Sequence, residues 1–122
     1  MTPEDFVRAF AEAFSRQDAE ALKAMLVADA DVLTLTGAAS ETAAEARDIL
    51  SSEFAGIFRA AKLVKGKLRQ RLLGPISVVT QRFVVSGAQD EAGQDMPRFA
   101  AQLSAVLGSD GRALSLTFSA TD

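Results

Sequence analysis

Apolar positions keep a helical spacing up to about residue 61 and an alternating spacing after it. Thr2 can cap a first helix, Pro3 suits its first position, and Asp5 stands three residues after the cap. Phe6, Phe10 and Phe14 then recur every four residues, with Val7 and Ala13 alongside, which puts three rings on one helix face. Asp18 caps a second short helix whose inner face carries Leu22, Met25 and Leu26. Ala30 to Thr36 alternates and predicts a short strand ending at Gly37. Thr42 and Glu45 have capping-box spacing ahead of a third helix, with Ala46, Ile49, Leu50, Phe54, Ile57 and Phe58 on its apolar face.

Four strands follow. In the first, Val64, Leu68 and Leu72 share one face, and Lys65, Lys67, Arg69 and Arg71 the other. Gly74-Pro75 turns the chain into Ile76 to Gly87, which is apolar on both faces as a central strand is. The polar stretch from Gln89 to Met96 reads as a hairpin loop. Phe99 to Leu107 alternates, Gly108 to Gly111 turns, and Leu114, Leu116 and Phe118 mark the last strand. The expected fold class is α+β: three N-terminal helices packed on a curved antiparallel sheet of four long strands plus one short strand, as a single domain over residues 1–122. The expected core includes Phe10, Phe14, Phe54, Phe58, Phe83, Leu103, Leu116 and Phe118.

Composition narrows the chemistry. The 122 residues are 48% hydrophobic and carry a formal net charge of −3, which disfavours nucleic acid. Histidine, tyrosine, tryptophan and cysteine are all absent. A Ser-His-Asp triad, a Cys-His dyad, a thiolate nucleophile, a histidine-built zinc site and a tyrosine oxyanion donor are therefore excluded. No cofactor and no metal are expected. The acidic N-terminus lacks the basic start of a signal peptide, and no apolar run approaches a membrane span, so a cytoplasmic, membrane-free protein is expected.

The order of elements, with certain local motifs, resembles the nuclear transport factor two-like superfamily, also called SnoaL-like. The residues that carry the resemblance are Phe10 to Phe14, the run Arg16-Gln17-Asp18-Ala19-Glu20-Ala21-Leu22, and Asp29-Ala30-Asp31-Val32-Leu33. Phe54-Ala55-Gly56-Ile57-Phe58 and Asp110-Gly111-Arg112 with Phe118 are similar to its SgcJ/EcaC-type subgroup. The resemblance implies a cone-shaped fold with a pocket between helices and sheet, and a homodimer through the outer sheet face. It also implies that positions where relatives carry chemistry differ here. The aspartate base of isomerase-like members looks like Thr34, and the histidines of the subgroup look like Thr80 and Ser119.

The candidate pocket residues are Phe14, Thr34, Thr36, Glu53, Phe54, Phe58, Gln70, Gln81 and Phe118. Glu53 is the carboxylate that could face inward; Gln70 and Gln81 are amides on otherwise apolar strand faces. The candidate dimer face carries Thr80, Arg82, Arg98, Gln102 and Ser104, where Arg82 could instead clamp an anionic ligand. No residue is assigned a catalytic role. The first reading is a small-molecule-binding domain with a mostly apolar pocket and no catalysis. The alternatives are an isomerase, dehydratase or hydrolase acting on a polyketide-like or steroid-like molecule, and a protein-interaction domain using the sheet surface. A buried carboxylate at the pocket floor would weaken the first reading.

Overall fold

The computed structural model describes residues 2–121. Its first helix, α1, spans Pro3–Ser15 and opens with a full capping box: the Thr2 hydroxyl accepts from the Asp5 backbone N–H, and the Asp5 carboxylate accepts from the Thr2 N–H, both at 3.1 Å. The Thr2 bonds, aided by Arg8, hold the exposed Asp5 carboxyl below the usual carboxylate range. α2 is Ala19–Ala24, capped by Asp18. α3 is Ala43–Ala55, capped by Thr42 and closed at Gly56. Ile57 and Phe58, expected on the helix, lie in the turns beyond it, because the chain reverses at Gly56 and Phe58 N–H bonds back to the Glu53 carbonyl at 2.9 Å.

Six strands form one curved, unclosed sheet in the order β2-β1-β6-β5-β4-β3. These are β1 Leu26–Leu33, β2 Ala39–Ser40, β3 Lys62–Leu73, β4 Ile76–Ser86, β5 Phe99–Leu107 and β6 Ala113–Ala120. β3 to β6 run as the antiparallel meander that alternation predicts. β1, however, pairs parallel with β6, so the sheet is mixed, and the two-residue β2 had no signal of its own. β1 also begins four residues before the expected Ala30. Leu26 belongs to its start, and Met25 only caps α2 before it, because the last strand captures this point of the chain: Leu26 pairs with Ala113, whose N–H donates to the Met25 carbonyl at 2.8 Å. β1 stops at Leu33, which leaves Thr34 and Thr36 in a tight turn. Thr34 N–H bonds the Ala38 carbonyl at 2.9 Å and Gly37 N–H bonds the Thr34 carbonyl at 2.8 Å.

The expected apolar face of β3 is split. The pairing of β3 with β4 shifts between Lys65 and Leu68, a bulge that changes which way the alternation points. Leu63 and Leu68 pack against the core, whereas Val64 is 59% exposed on the opposite face. Gln81 seals this bulge. Its side-chain amide donates to the Gly66, Lys67 and Arg82 carbonyls at 3.0, 3.3 and 2.7 Å.

The helices cover the sheet face that presents Val79, Gln81, Phe83 and Val85 from β4 and Ala101, Leu103, Ala105 and Leu107 from β5, all buried. Phenylalanine fills the space between the layers. Phe14 meets Phe54 and Phe118 edge to face at 5.1 and 5.5 Å, and Phe58 at 5.5 Å; Phe10 meets Phe118 at 5.2 Å and Phe83 at 6.1 Å. All eight residues of the expected core are buried.

Gly87 ends β4 where the chain passes the start of β3. Its φ is +80°, and a Cβ there would stand 2.4 Å from the Ala60 carbonyl oxygen. Gly87→Ala is therefore expected to cost about 2–4 kcal/mol in urea unfolding, from backbone strain plus the forced separation of two backbones. Gly37→Ala, also at positive φ but with open space around the Cβ, is expected to cost less.

Candidate functional site

Among the described residues only four polar side chains are buried: Thr34, Ser40, Glu53 and Gln81. Gln81 is consumed by the β3 bulge. Two of the others, Thr34 and Glu53, meet each other at the edge of the phenylalanine cluster. The Glu53 side chain projects from the last turn of α3, and the turn after β1 brings two hydroxyls to it. Thr34 Oγ1 and Thr36 Oγ1 each donate to Glu53 Oε2 at 2.7 Å, and the two hydroxyl oxygens are 3.2 Å apart. Glu53 Oε1 is buried and has no hydrogen-bond partner, although Glu53 is only 9% exposed. No lysine or arginine pairs with this carboxylate among the described residues.

Glu53 and Thr34 line an internal cavity of about 20 Å³. Its remaining walls are apolar and include Phe10, Phe14, Leu22, Leu50, Leu116 and Phe118. That volume holds one water-sized group. On the other side of the same turn, an open groove of about 550 Å³ is lined by Leu35, Thr36, Ile57, Phe58, Phe99 and Arg98, among others. Leu35 lines both spaces, and Thr36 lines the groove while its hydroxyl is bonded to the carboxylate of the cavity. The turn that holds the polar knot thus borders both a small cavity with mostly apolar walls and an open groove of ligand size.

The nine candidate pocket residues separate into groups. Phe14, Thr34, Glu53 and Phe118 line the cavity; Thr36 and Phe58 line the groove. Phe54 packs on Phe14 and borders an open cleft between the helices with Arg16, Gln17 and Arg47. Gln81 does not reach the cavity, because the bulge carbonyls take its amide. Gln70 is exposed, because β3 is the edge strand and runs beyond the helices at that end. Phe10, one of the three rings of the α1 stripe, also lines the cavity, and the walls that sequence reasoning did not single out are Leu22, Met25, Leu26, Val32, Leu33, Leu35, Leu50 and Leu116. The apolar spacing marked several of these as core, and nothing local separates a core leucine from one that borders a void.

On the outer sheet face, Thr80, Arg82 and Gln102 surround a depression with Lys67 and Arg69, and Ser104 lies beside them on β5. Arg98 precedes β5 and lines the groove at the other side of the sheet's end. Among the described residues no group of three or more acidic, histidine or cysteine side chains could hold a metal ion, and no helix is long and apolar enough to cross a membrane.

No protein-family model and no curated protein matches the sequence. Solved structures do. An uncharacterised protein with a cystatin-like fold from Caulobacter vibrioides superposes with a TM-score of 0.86 at 14% identity, over 98% of this chain and 87% of that one. This chain has the NTF2-like, cystatin-like fold. A provisionally named dehydratase of the NTF2-like family from Streptomyces avermitilis has a TM-score of 0.78 at 16% identity, covering 98% and 93% of the two chains. An NTF2-like protein of unknown function from Cytophaga hutchinsonii has a TM-score of 0.67 at 17% identity, covering 99% and 91%. At these identities the NTF2-like fold is shared, and residue roles are not transferred with it.

Thr34 and Glu53 form one energetic unit through the 2.7 Å hydrogen bond between them. Thr34→Val is expected to destabilise by about 1–3 kcal/mol, because it strips a donor from a buried carboxylate. In a Glu53→Leu background the same substitution is expected to be close to neutral. A double-mutant cycle by chemical denaturation should give a coupling above about 0.5 kcal/mol; strict additivity would show that the bonds contribute nothing.

Proposed function

We propose that this NTF2-like chain binds a compact, largely apolar molecule carrying one or two polar groups, and does so without chemical conversion. The ligand body lies in the groove beside Leu35, Ile57, Phe58 and Phe99, and a polar end reaches the Glu53 knot past Thr36. The observation that carries the reading is Glu53 Oε1: a buried acceptor with no protein partner, bordering a cavity with apolar walls. A buried polar atom left unpaired is costly, and a ligand donor would satisfy it. The few polar groups and the apolar surroundings match the general composition of small-molecule sites.

The same buried carboxylate is the feature that weakens a non-catalytic reading, and it favours a second one, an isomerase- or dehydratase-type enzyme with Glu53 as proton acceptor. Proton abstraction beside a carbonyl also needs donors aimed at the oxygen where charge develops. The hydroxyls at hand, Thr34 and Thr36, are both turned onto Glu53 Oε2. An acceptor is present without an oxyanion donor, and this balance supports binding over catalysis.

For assembly we propose a homodimer through the outer sheet face. The support lies in how charge is distributed across that face. Strand register sets Asp31, Ser115, Val106, Val78 and Arg71 in one cross-strand row. The row is acidic at β1, neutral in the middle and basic at β3. A two-fold axis along β5 would lay Arg71 of each copy over Asp31 of the other, with Gln102 and Ser104 near the axis and Thr80 and Arg82 flanking it.

Three measurements test these readings. Benzyl alcohol titrated into the labelled protein should shift amide resonances of residues 34–37, 53–58 and 118; scattered or absent shifts up to millimolar concentration would overturn the binding site. Turnover of a ketosteroid or epoxide substrate that is lost in Glu53→Gln would overturn the non-catalytic reading. For the dimer, Asp31→Arg or Arg71→Asp alone should raise the dissociation constant at least about tenfold in analytical ultracentrifugation, and the two together should restore it. A wild-type monomer, or a double variant as weak as the singles, would rule this geometry out.

A further inference from the structure

The charge of the buried knot narrows the class of ligand, and this step rests on the binding reading above. Glu53 carries its carboxylate into a region whose other charged groups are absent. The cavity walls hold no lysine or arginine, and no ion pair reaches Glu53 among the described residues. Arg98, on the groove wall, is exposed and does not contact the carboxylate. Thr34 and Thr36 supply two neutral donors, both to Oε2. Oε1 remains without a partner, and Glu53 shares its cavity with Phe10, Phe14 and Phe118.

Two features of this arrangement discriminate between ligands. First, Oε1 is an acceptor, so the group that meets it must be an N–H or O–H donor. A ketone, ether, carboxylate or phosphate presents only acceptors and would leave Oε1 unpaired or repelled. Second, a buried carboxylate without a cation is strongly unfavourable, and a cation held against it is correspondingly favoured. The cavity of about 20 Å³ admits one group of water size, which fits an ammonium head and not a guanidinium or a quaternary amine.

We infer that the natural ligand class is a primary amine with an apolar body, bound as its ammonium ion with the head in the cavity on Glu53 Oε1 and the body in the groove beside Phe58 and Phe99. The charge pairs with Glu53, one N–H is given to Oε1, and the apolar body is removed from water along the groove. The bound pair is neutral overall, so the phenylalanine walls bury no uncompensated charge.

Benzylamine, benzyl alcohol and benzyltrimethylammonium test this with a common ring. At pH 7, isothermal titration of the full chain is expected to show benzylammonium binding at least about tenfold more tightly than benzyl alcohol. Benzyltrimethylammonium, which has the charge but no N–H and a larger head, should bind no better than the alcohol. Glu53→Gln should reduce benzylammonium affinity to within about twofold of the alcohol. If Glu53→Gln does not fold, the amine-over-alcohol preference of the unmutated chain is the readout. Equal binding of amine and alcohol at the resonances of residues 34–37 and 53–58 would overturn the amine assignment and leave the binding site standing. Absence of binding by all three would overturn the site itself.

Discussion

Phe14 is the contact on which the rest of the molecule depends. One ring from the first helix touches the third helix through Phe54, the reversal after it through Phe58 and the last strand through Phe118, all within 5.5 Å between centroids. Elements far apart in sequence are brought together around a single side chain. With Phe10 and Phe83 extending the cluster, the interior of the cone is filled with hydrocarbon almost to closure. What remains is a void of about 20 Å³ at the place where α3 and the β1–β2 turn meet. The fold that makes a pocket geometrically available is thus combined here with side chains that occupy most of it.

That filling gives the Glu53 knot its meaning. In a wide, wet pocket a carboxylate would be solvated and unremarked. Against a packed phenylalanine wall, the same group has to draw its partners from the protein or from a bound molecule. The protein supplies donors for one oxygen only. The ends of two elements, α3 and β1, converge to do this, and Gly37 at φ 87° lets the turn close tightly enough to aim both hydroxyls at one atom.

The outer face follows a different logic. Its side chains are not packed by this chain, so they record charge rather than shape. Lys67, Arg69 and Arg71 crowd the β3 edge, while Asp31 stands at the β1 side, and the register carries that separation straight across the sheet. The net charge of −3 says nothing of this arrangement, because acids on the helices and loops outweigh the cations of the sheet.

Much of the fold was legible in the sequence because it is written in local periodicity. The Phe6, Phe10 and Phe14 spacing, the caps at Thr2, Asp18 and Thr42, and the switch to alternation after residue 61 each depend on neighbours a few positions away. The absence of histidine, tyrosine and cysteine likewise fixed the chemistry that is ruled out. Pairing over distance decided the rest. Capture of Met25 and Leu26 by Ala113 moved the start of β1 and made the sheet mixed, and the bulge at Lys65 to Leu68 turned Val64 outward and took Gln81 for its own carbonyls. The sequence could mark Thr34, Thr36 and Glu53 as polar residues beside apolar ones. Only the tertiary structure could bring groups 17 and 19 residues apart onto one carboxylate oxygen and leave the other unpaired, because hydrogen bonds between elements are set by where the elements pack and not by the spacing along the chain.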